Sequence, residues 1–167
     1  QEKVIFAVMR LSAGRGSAPG FIPVTDGVYL LREPFGGTTT GIILLRSAEN
    51  ILIDAGGSAA LVDSVLVPAL AAQGLAPRDI DVLTCTHTHG DHIGGFARMR
   101  ELGVKQIAAY IKSVDKIRDP LHYNVEIRRA FPENSPPPSA GLVGTTVDTA
   151  LADGDRIGGR LELVATP

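Results

Sequence analysis

Three of the four histidines in this 167-residue chain lie between positions 87 and 92, with an aspartate between the second and the third. In an extended segment, side chains two residues apart point the same way, so His87 and His89 can bind one metal ion together. Asp91 and His92 follow at the next bend and can point elsewhere. Imidazole nitrogen and carboxylate oxygen suit zinc, and also iron or manganese. Nitrogen and oxygen donors without cysteine favour a catalytic metal site over a structural one.

The segments around this cluster predict the elements that must position it. Residues 80–84 predict a buried strand, residues 95–102 a helix that Gly103 ends, and residues 104–110 another strand. If the helix crosses over, the two strands are parallel. The cluster then lies at the carboxyl end of a strand, where α/β proteins usually build their sites.

Upstream of the cluster, the sequence predicts short strands followed by a helix. The predicted strands are residues 4–9, 27–32, 39–46 and 50–54, and residues 12–20 form a loop. Short gaps between the last three strands favour an antiparallel meander. Ser58 can cap a helix that runs to about Gln73, and Pro68 should kink or shorten that helix.

Downstream of the cluster, residues 111–139 predict a variable, lid-like insertion within a single domain that spans residues 1–167. Two short helices are predicted in it, at residues 111–118 and 125–131. As a lid, it would contact substrate through Tyr110, His122, Tyr123 and Phe131. An ordinary surface excursion is the alternative. Strands are predicted again at residues 145–150 and 160–165.

Composition limits the classes of partner. The net charge of −2 argues against a nucleic-acid or anionic-membrane surface that works by bulk charge, and the apolar runs are too short to span a bilayer. Cys85 is the single cysteine, which fits a cytoplasmic location, and we expect it to be a core residue. Because the chain begins at Gln1 and not at a methionine, a cleaved signal peptide, with a secreted or periplasmic location, is the alternative.

The segment His-Thr-His-Gly-Asp-His at residues 87–92 matches the His-x-His-x-Asp-His signature, and the chain thereby resembles the metallo-β-lactamase superfamily. Residues 50–56 look like the family's strand ending in Asp and Gly, and residues 79–84 look like its lead-in to the ligands. Residues 153–155 and 161–167 look like the approach to its next ligand. The resemblance implies an α/β fold, the αββα sandwich, of which this chain supplies mainly the N-terminal half. The motif does not decide the subfamily, although it is compatible with a glyoxalase-II-like thioesterase.

Carried over by position, the resemblance implies a role for each member of the cluster. His87 and His89 would bind the first metal ion, and Asp91 and His92 the second, with one or two Zn²⁺ expected and Fe or Mn as alternatives. Asp91 would also be catalytic, because it would stand near the nucleophilic water. Asp54 would brace the ligand loop by hydrogen bonds, its alternative being a turn-forming residue. The implied reaction is hydrolysis of a thioester, lactone, β-lactam or other ester or amide by a metal-bound hydroxide.

The family's pattern includes a third histidine, a bridging aspartate and a last histidine that these residues do not supply. His122 is the remaining histidine, and a surface or lid position suits it better than a ligand position. We therefore expect a C-terminal segment or second chain to complete the fold, and one face of the sheet to be exposed without it. Two alternatives stay open: a mononuclear iron persulfide dioxygenase on the same scaffold, and a non-catalytic fragment or subunit.

Overall fold

The computed structural model describes residues 20–35, 38–122, 129 and 142–165. The strand predicted at residues 4–9 lies outside these residues. The same holds for the loop at residues 12–20 apart from Gly20, and for the helix at residues 125–131 apart from Arg129.

Within the described residues, seven strands form one mixed sheet in which sequence order is also spatial order. The strands are β1 (Ile22–Thr25), β2 (Val28–Phe35), β3 (Thr38–Arg46), β4 (Asn50–Ile53), β5 (Val82–Thr84), β6 (Gln106–Tyr110) and β7 (Thr149–Leu151). Neighbours from β1 to β4 are antiparallel, which confirms the predicted meander. Neighbours from β4 to β7 are parallel, so β5 and β6 run the same way, as predicted from the crossover helix.

The helices cover one face of this sheet. They are α1 (Ala59–Leu61), a π-helical turn (Val62–Leu66), α2 (Val67–Ala72), α3 (Gly90–Ile93), α4 (Phe96–Glu101) and α5 (Val114–Arg118), with 3₁₀ turns at Pro77–Asp79 and Ile111–Ser113. Their apolar side chains meet those of the central strands in the main core. Its fully buried large members include Leu44, Leu52, Leu66, Leu70, Leu83, Phe96, Met99 and Ile107.

The helical segment after β4 begins as predicted and adapts to its proline in another way. The Ser58 hydroxyl accepts a hydrogen bond from the Leu61 amide at 3.2 Å and caps α1. Pro68 neither ends the segment nor shortens it, because the chain takes a wider π-helical turn just before it. The Val67 amide there bonds to the Val62 carbonyl, five residues back.

The second face of the sheet is partly covered, so the expectation of an exposed face is wrong for its centre. A hairpin of β8 (Arg156–Ile157) and β9 (Leu161–Glu162) packs there, and β9 is shorter than the strand predicted at residues 160–165. Together with Leu151 from β7, it buries Ile51 and Val82. Toward the meander, however, Val28, Ile43 and Ile53 are only partly buried.

None of the helices in the described part of the chain is both long enough and apolar enough to cross a membrane.

Candidate metal centre

The four predicted ligands come together where β5 ends. The chain leaves β5 at Thr84 and turns into the short helix α3, for which His89 is the capping position. The ring centre of His87 lies 4.6 Å from that of His89 and 4.0 Å from that of His92. The Asp91 Oδ2 and His92 Nε2 atoms are 3.3 Å apart. His87 and His89 are exposed, whereas Asp91 and His92 are mostly covered.

Asp54 lies behind the cluster and ties its loop to β4. Its carboxylate accepts hydrogen bonds from the Thr86 amide at 2.8 Å, the Thr86 hydroxyl at 2.9 Å and His92 Nδ1 at 2.8 Å. Only 2% of the Asp54 surface is exposed. Because the carboxylate can only accept, Nδ1 carries the hydrogen and the other nitrogen of a neutral His92 ring faces Asp91 as an acceptor.

Asp54 also has an unusual backbone. Its φ of 67° lies in the left-handed region, which aspartate tolerates better than most residues but which still costs about 1–2 kcal/mol. The amides of Asp54 and Ala55 donate to the carbonyls of Thr84 and His92 at 2.8 and 2.9 Å. This strained turn therefore aligns the end of β4 with the histidine loop from both sides of the residue.

The pKa values of His92 and His87 shift in opposite directions in this environment. For His92, burial disfavours the charged ring, but the hydrogen bond to Asp54 and the charges of Asp54 and Asp91 outweigh it and raise the pKa. For His87, burial and the neighbouring His92 and His89 lower the pKa, so the ring is more readily neutral. A neutral imidazole has the free electron pair that a metal ligand needs.

Three residues that sequence reasoning missed also belong to this region. Thr40 on β3 donates a hydrogen bond to Asp91 Oδ2 at 3.1 Å, and Thr86 contacts Asp54, as described above. Glu33 is the residue directly opposite Thr40 on β2. The clue for Thr86 was its position beside His87, and the clue for Glu33 was a carboxylate in an apolar strand. Thr40, one of three consecutive threonines, gave no signal.

The glycines after the cluster have a different purpose from the one their type predicts. Glycine commonly marks a backbone conformation that other residues avoid, yet Gly94 and Gly95 have ordinary φ values of −61° and −87°. A Cβ atom on Gly94 would collide with the Gly57 carbonyl, and one on Gly95 would collide with the Ala55 carbonyl. These glycines allow the ligand loop to lie directly against the segment that follows β4.

Cys85 packs against the main core, as expected for a small apolar residue. Burial, with a smaller effect from the Asp54 charge, raises the pKa of its thiol to about 12. The thiol stays protonated at neutral pH and is a poor metal ligand.

The predicted lid residues are only partly described. Tyr110 ends β6, with the Lys112 ammonium 6.0 Å from its ring centre. His122 is exposed, and its amide donates to Asp119 Oδ1 at 3.1 Å. Tyr123 and Phe131 lie outside the described residues. The lid itself stays a prediction.

Three imidazoles and a carboxylate are the donors that zinc prefers, so the chemistry of the cluster fits a zinc ion. The positions of these side chains are less specific for a metal ion than their chemistry is. Among the described residues, no three His, Cys, Asp or Glu side chains are placed so that they could hold one ion between them. The fit therefore rests on donor chemistry and on the Asp54 contact, which leaves one nitrogen of a neutral His92 ring free.

Comparison with known proteins identifies the family. The family model described as the metallo-β-lactamase superfamily matches residues 34–167. The chain belongs to this superfamily. Metallo-β-lactamase domain-containing protein 1 from human is 50% identical over 82 residues, covering 47% of this chain and 30% of that protein. Its mouse counterpart is 45% identical over 51 residues, covering 30% and 19%. The chain thus spans less than a third of these relatives.

Solved metallo-β-lactamases have the same fold. The subclass B3 enzyme BJP-1 from Bradyrhizobium japonicum superposes with a TM-score of 0.63 at 21% identity, covering 84% of this chain and 48% of that one. MIM-1 from Novosphingobium pentaromativorans gives 0.62 at 25% identity, covering 87% and 50%. The mixed α/β sheet of this chain therefore corresponds to about half of each metallo-β-lactamase domain.

Proposed function

We propose that the protein carrying this chain is a metal-dependent hydrolase of a thioester, lactone, β-lactam or other ester or amide. The observation that carries the proposal is the gathering of His87, His89, Asp91 and His92 at the end of β5. The superfamily to which the chain belongs consists mostly of metal-dependent hydrolases, which supports the reaction class.

In this proposal His87 and His89 hold one zinc ion, and Asp91 and His92 contribute to a second position. When bound, zinc supplies a water of lowered pKa and polarises the carbonyl of the substrate. The remaining ligands come from parts of the protein that correspond to the other half of the solved structures.

The chain's own residues prepare this chemistry. Asp54 fixes the orientation of the His92 ring. Thr40 donates to Asp91 Oδ2 and holds that carboxylate in place. Asp91 then orients the attacking water and accepts its proton. Positioned proton transfer of this kind contributes about 10²–10⁴ in rate.

The test is metal content and activity of the full-length protein. We expect stoichiometric zinc, and hydrolysis of at least one class in a panel of thioesters, lactones, β-lactams and other esters and amides. Asp91→Asn should lower kcat/KM by at least about 10². The matched control is Asp63→Asn, which removes an exposed carboxylate that pairs with Arg98 and should leave kcat/KM unchanged.

Two results would overturn the proposal. Bound iron without hydrolysis would point to oxygenase chemistry on the same scaffold, such as persulfide oxidation. Absence of stoichiometric metal from the full-length protein would point to a non-catalytic subunit.

We also propose that a further segment or a second chain covers the partly buried face around Val28, Ile43 and Ile53. These side chains are apolar yet incompletely buried, and the chain corresponds to only about half of each solved domain. Burying them would add to the hydrophobic stabilisation of the sheet.

A further inference from the structure

A small cavity adjoins the histidine cluster on the side of the meander. Its volume is about 180 Å³. It is lined by Glu33, Thr40, Gly56, Gly57, Ser58, Leu61 and Asp91. Because Asp91 belongs both to this wall and to the cluster, a group bound in the cavity lies beside the proposed reaction centre.

Glu33 is the unusual residue of this wall. Only 7% of its surface is exposed, and its Oε1 atom has no hydrogen-bond partner within the described residues. A buried carboxylate oxygen without a partner is costly, because it has lost its hydration without gaining a hydrogen bond. In keeping with this, burial raises the pKa of Glu33.

The strand register directs Glu33 to the site. It lies directly opposite Thr40 in the antiparallel β2–β3 pair, so the two side chains are on the same face of the sheet. Thr40 reaches Asp91 Oδ2 from this face. Thr40 is therefore the cross-strand neighbour of Glu33 and the hydrogen-bond donor to the proposed catalytic carboxylate of Asp91.

The polar side-chain atoms of the wall are mostly acceptors. The Thr40 hydroxyl hydrogen is directed to Asp91, and the Ser58 oxygen accepts from the Leu61 amide. Glu33 and Asp91 add carboxylate oxygens. A wall of this kind suits a positively charged group with several N–H donors.

We propose that this cavity is a subsite for a cationic hydrogen-bonding group of the substrate, an ammonium or guanidinium that pairs with Glu33. A cavity of about 180 Å³ is smaller than the roughly 300–1,000 Å³ of pockets that hold a whole ligand, so it takes one group of a larger molecule. The inference deepens the proposed function and rests on it in one respect: the rest of the substrate extends past Asp91 to the metal centre.

Binding tests the subsite without any turnover. Methylguanidinium and N-methylurea have nearly the same shape, but the first is a cation and the second is neutral. Methylguanidinium also stays protonated at neutral pH, which prevents it from acting as a metal ligand. In the full-length protein, we expect methylguanidinium to shift the amide resonances of Gly57, Ser58 and Leu61 at concentrations at least tenfold lower than N-methylurea.

Glu33→Gln should weaken methylguanidinium binding at least tenfold and leave N-methylurea binding unchanged. This variant replaces a buried carboxyl group with a neutral amide of nearly the same shape, so we expect it to fold. Glu33→Asp keeps the charge on a shorter side chain and should give an intermediate affinity. Glu101→Gln is the control, since it changes an exposed carboxylate on α4 and should bind like the wild type. Equal binding of the two probes, or wild-type affinity in Glu33→Gln, would overturn the subsite.

A second measurement separates the subsite from the reaction. Paired esters or thioesters, one with an ammonium or guanidinium substituent and one with a neutral isostere, should differ in kcat/KM at least tenfold in favour of the cation. Glu33→Gln should abolish the preference and retain turnover of the neutral member. Equal turnover of both members in the wild type would overturn the inference and leave the hydrolase proposal intact. Probe binding without turnover of either pair member or of any compound in the hydrolase panel would leave the subsite and overturn the hydrolase.

Discussion

At the level of single residues, Asp54 connects structure and proposed chemistry. One carboxylate accepts from Thr86 and from the ring of His92, while its own backbone is held at a φ of 67°. Such strain persists only where the surrounding contacts fix it. The three hydrogen bonds and the flanking backbone bonds to Thr84 and His92 are contacts of that kind.

Asp54→Asn tests this connection. The amide group turns a donor toward either Thr86 or His92, so at least one hydrogen bond is lost. We expect zinc affinity to fall about 10–100-fold and stability to fall by about 1–3 kcal/mol. A competitive zinc titration and urea unfolding of the full-length protein measure the two effects. Asp63→Asn is the control, and wild-type zinc affinity in Asp54→Asn would contradict the bracing role.

At the level of elements, Asp81 connects the start of β4 with the start of β6. Its carboxylate accepts from the Lys105 ammonium, just before β6, and from the Asn50 amide at the start of β4. The hydrogen bond from Lys105, followed by that from Asn50, lowers the pKa of Asp81. The folded state therefore favours the ionised carboxylate.

This lowered pKa predicts a pH dependence. A carboxylate with a folded pKa below its unfolded value of about 3.9 stabilises the fold above that value and loses this effect as the pH falls through the folded pKa. Asp81→Asn should cost about 1 kcal/mol at pH 7, and the difference from wild type should shrink below about pH 4. Urea unfolding at several pH values measures it, and a difference that stays constant down to pH 3 would count against this ion pair.

The packing of the ligand loop on the segment after β4 gives a second prediction for the elements. A Cβ atom at Gly95 would collide with the carbonyl of Ala55 and with the side chain of Val62, and a backbone carbonyl cannot move aside as the end of a flexible side chain can. Gly95→Ala should destabilise the protein by about 1–3 kcal/mol. Gly41→Ala is the matched control, since its nearest neighbour is a flexible Leu30 methyl group at 3.1 Å. Thermal unfolding compares them, and equal melting temperatures would contradict the close approach.

At the level of the whole molecule, the partly buried face around Val28, Ile43 and Ile53 is either covered by another segment or open to solvent. If another segment covers it, Ile53 is a core residue, and Ile53→Ala should cost about 2–5 kcal/mol in the full-length protein. Val24, of which 61% is exposed, is the control, and Val24→Ala should change stability by less than about 0.5 kcal/mol. Chemical unfolding supplies both values, and a small cost for Ile53→Ala would mean that the face stays open.

Much of this architecture was predictable because it depends on local patterns. The meander, the cap at Ser58, the parallel pair β5–β6 and the position of the histidine cluster all follow from periodicity, turn residues and motif spacing. The superfamily was recognisable from residues 87–92 together with their flanking segments.

The remainder depended on contacts between residues distant in sequence. The Thr40–Asp91 hydrogen bond spans 51 positions, and nothing in a run of threonines indicates which hydroxyl faces the site. The burial of Glu33 appears only when β2 and β3 are in register. The close packing at Gly94 and Gly95 was also not predictable, because close approach to a distant carbonyl leaves no local signature.

The π-helical turn before Pro68 affects the angle about the helix axis at which the preceding residues lie. One residue of α-helix rotates the chain by about 100°. Because this π-helical turn holds one residue more than an α-helical turn, removing one residue from Val62–Leu66 would give a continuous α-helix. Ser58, with the cavity wall at Gly56 and Gly57, would then keep nearly the same angle about the helix axis relative to the buried Leu70. The segment should therefore tolerate the loss of one residue within this turn, whereas a loss between the turn and Leu70 would rotate Ser58 by about 100°.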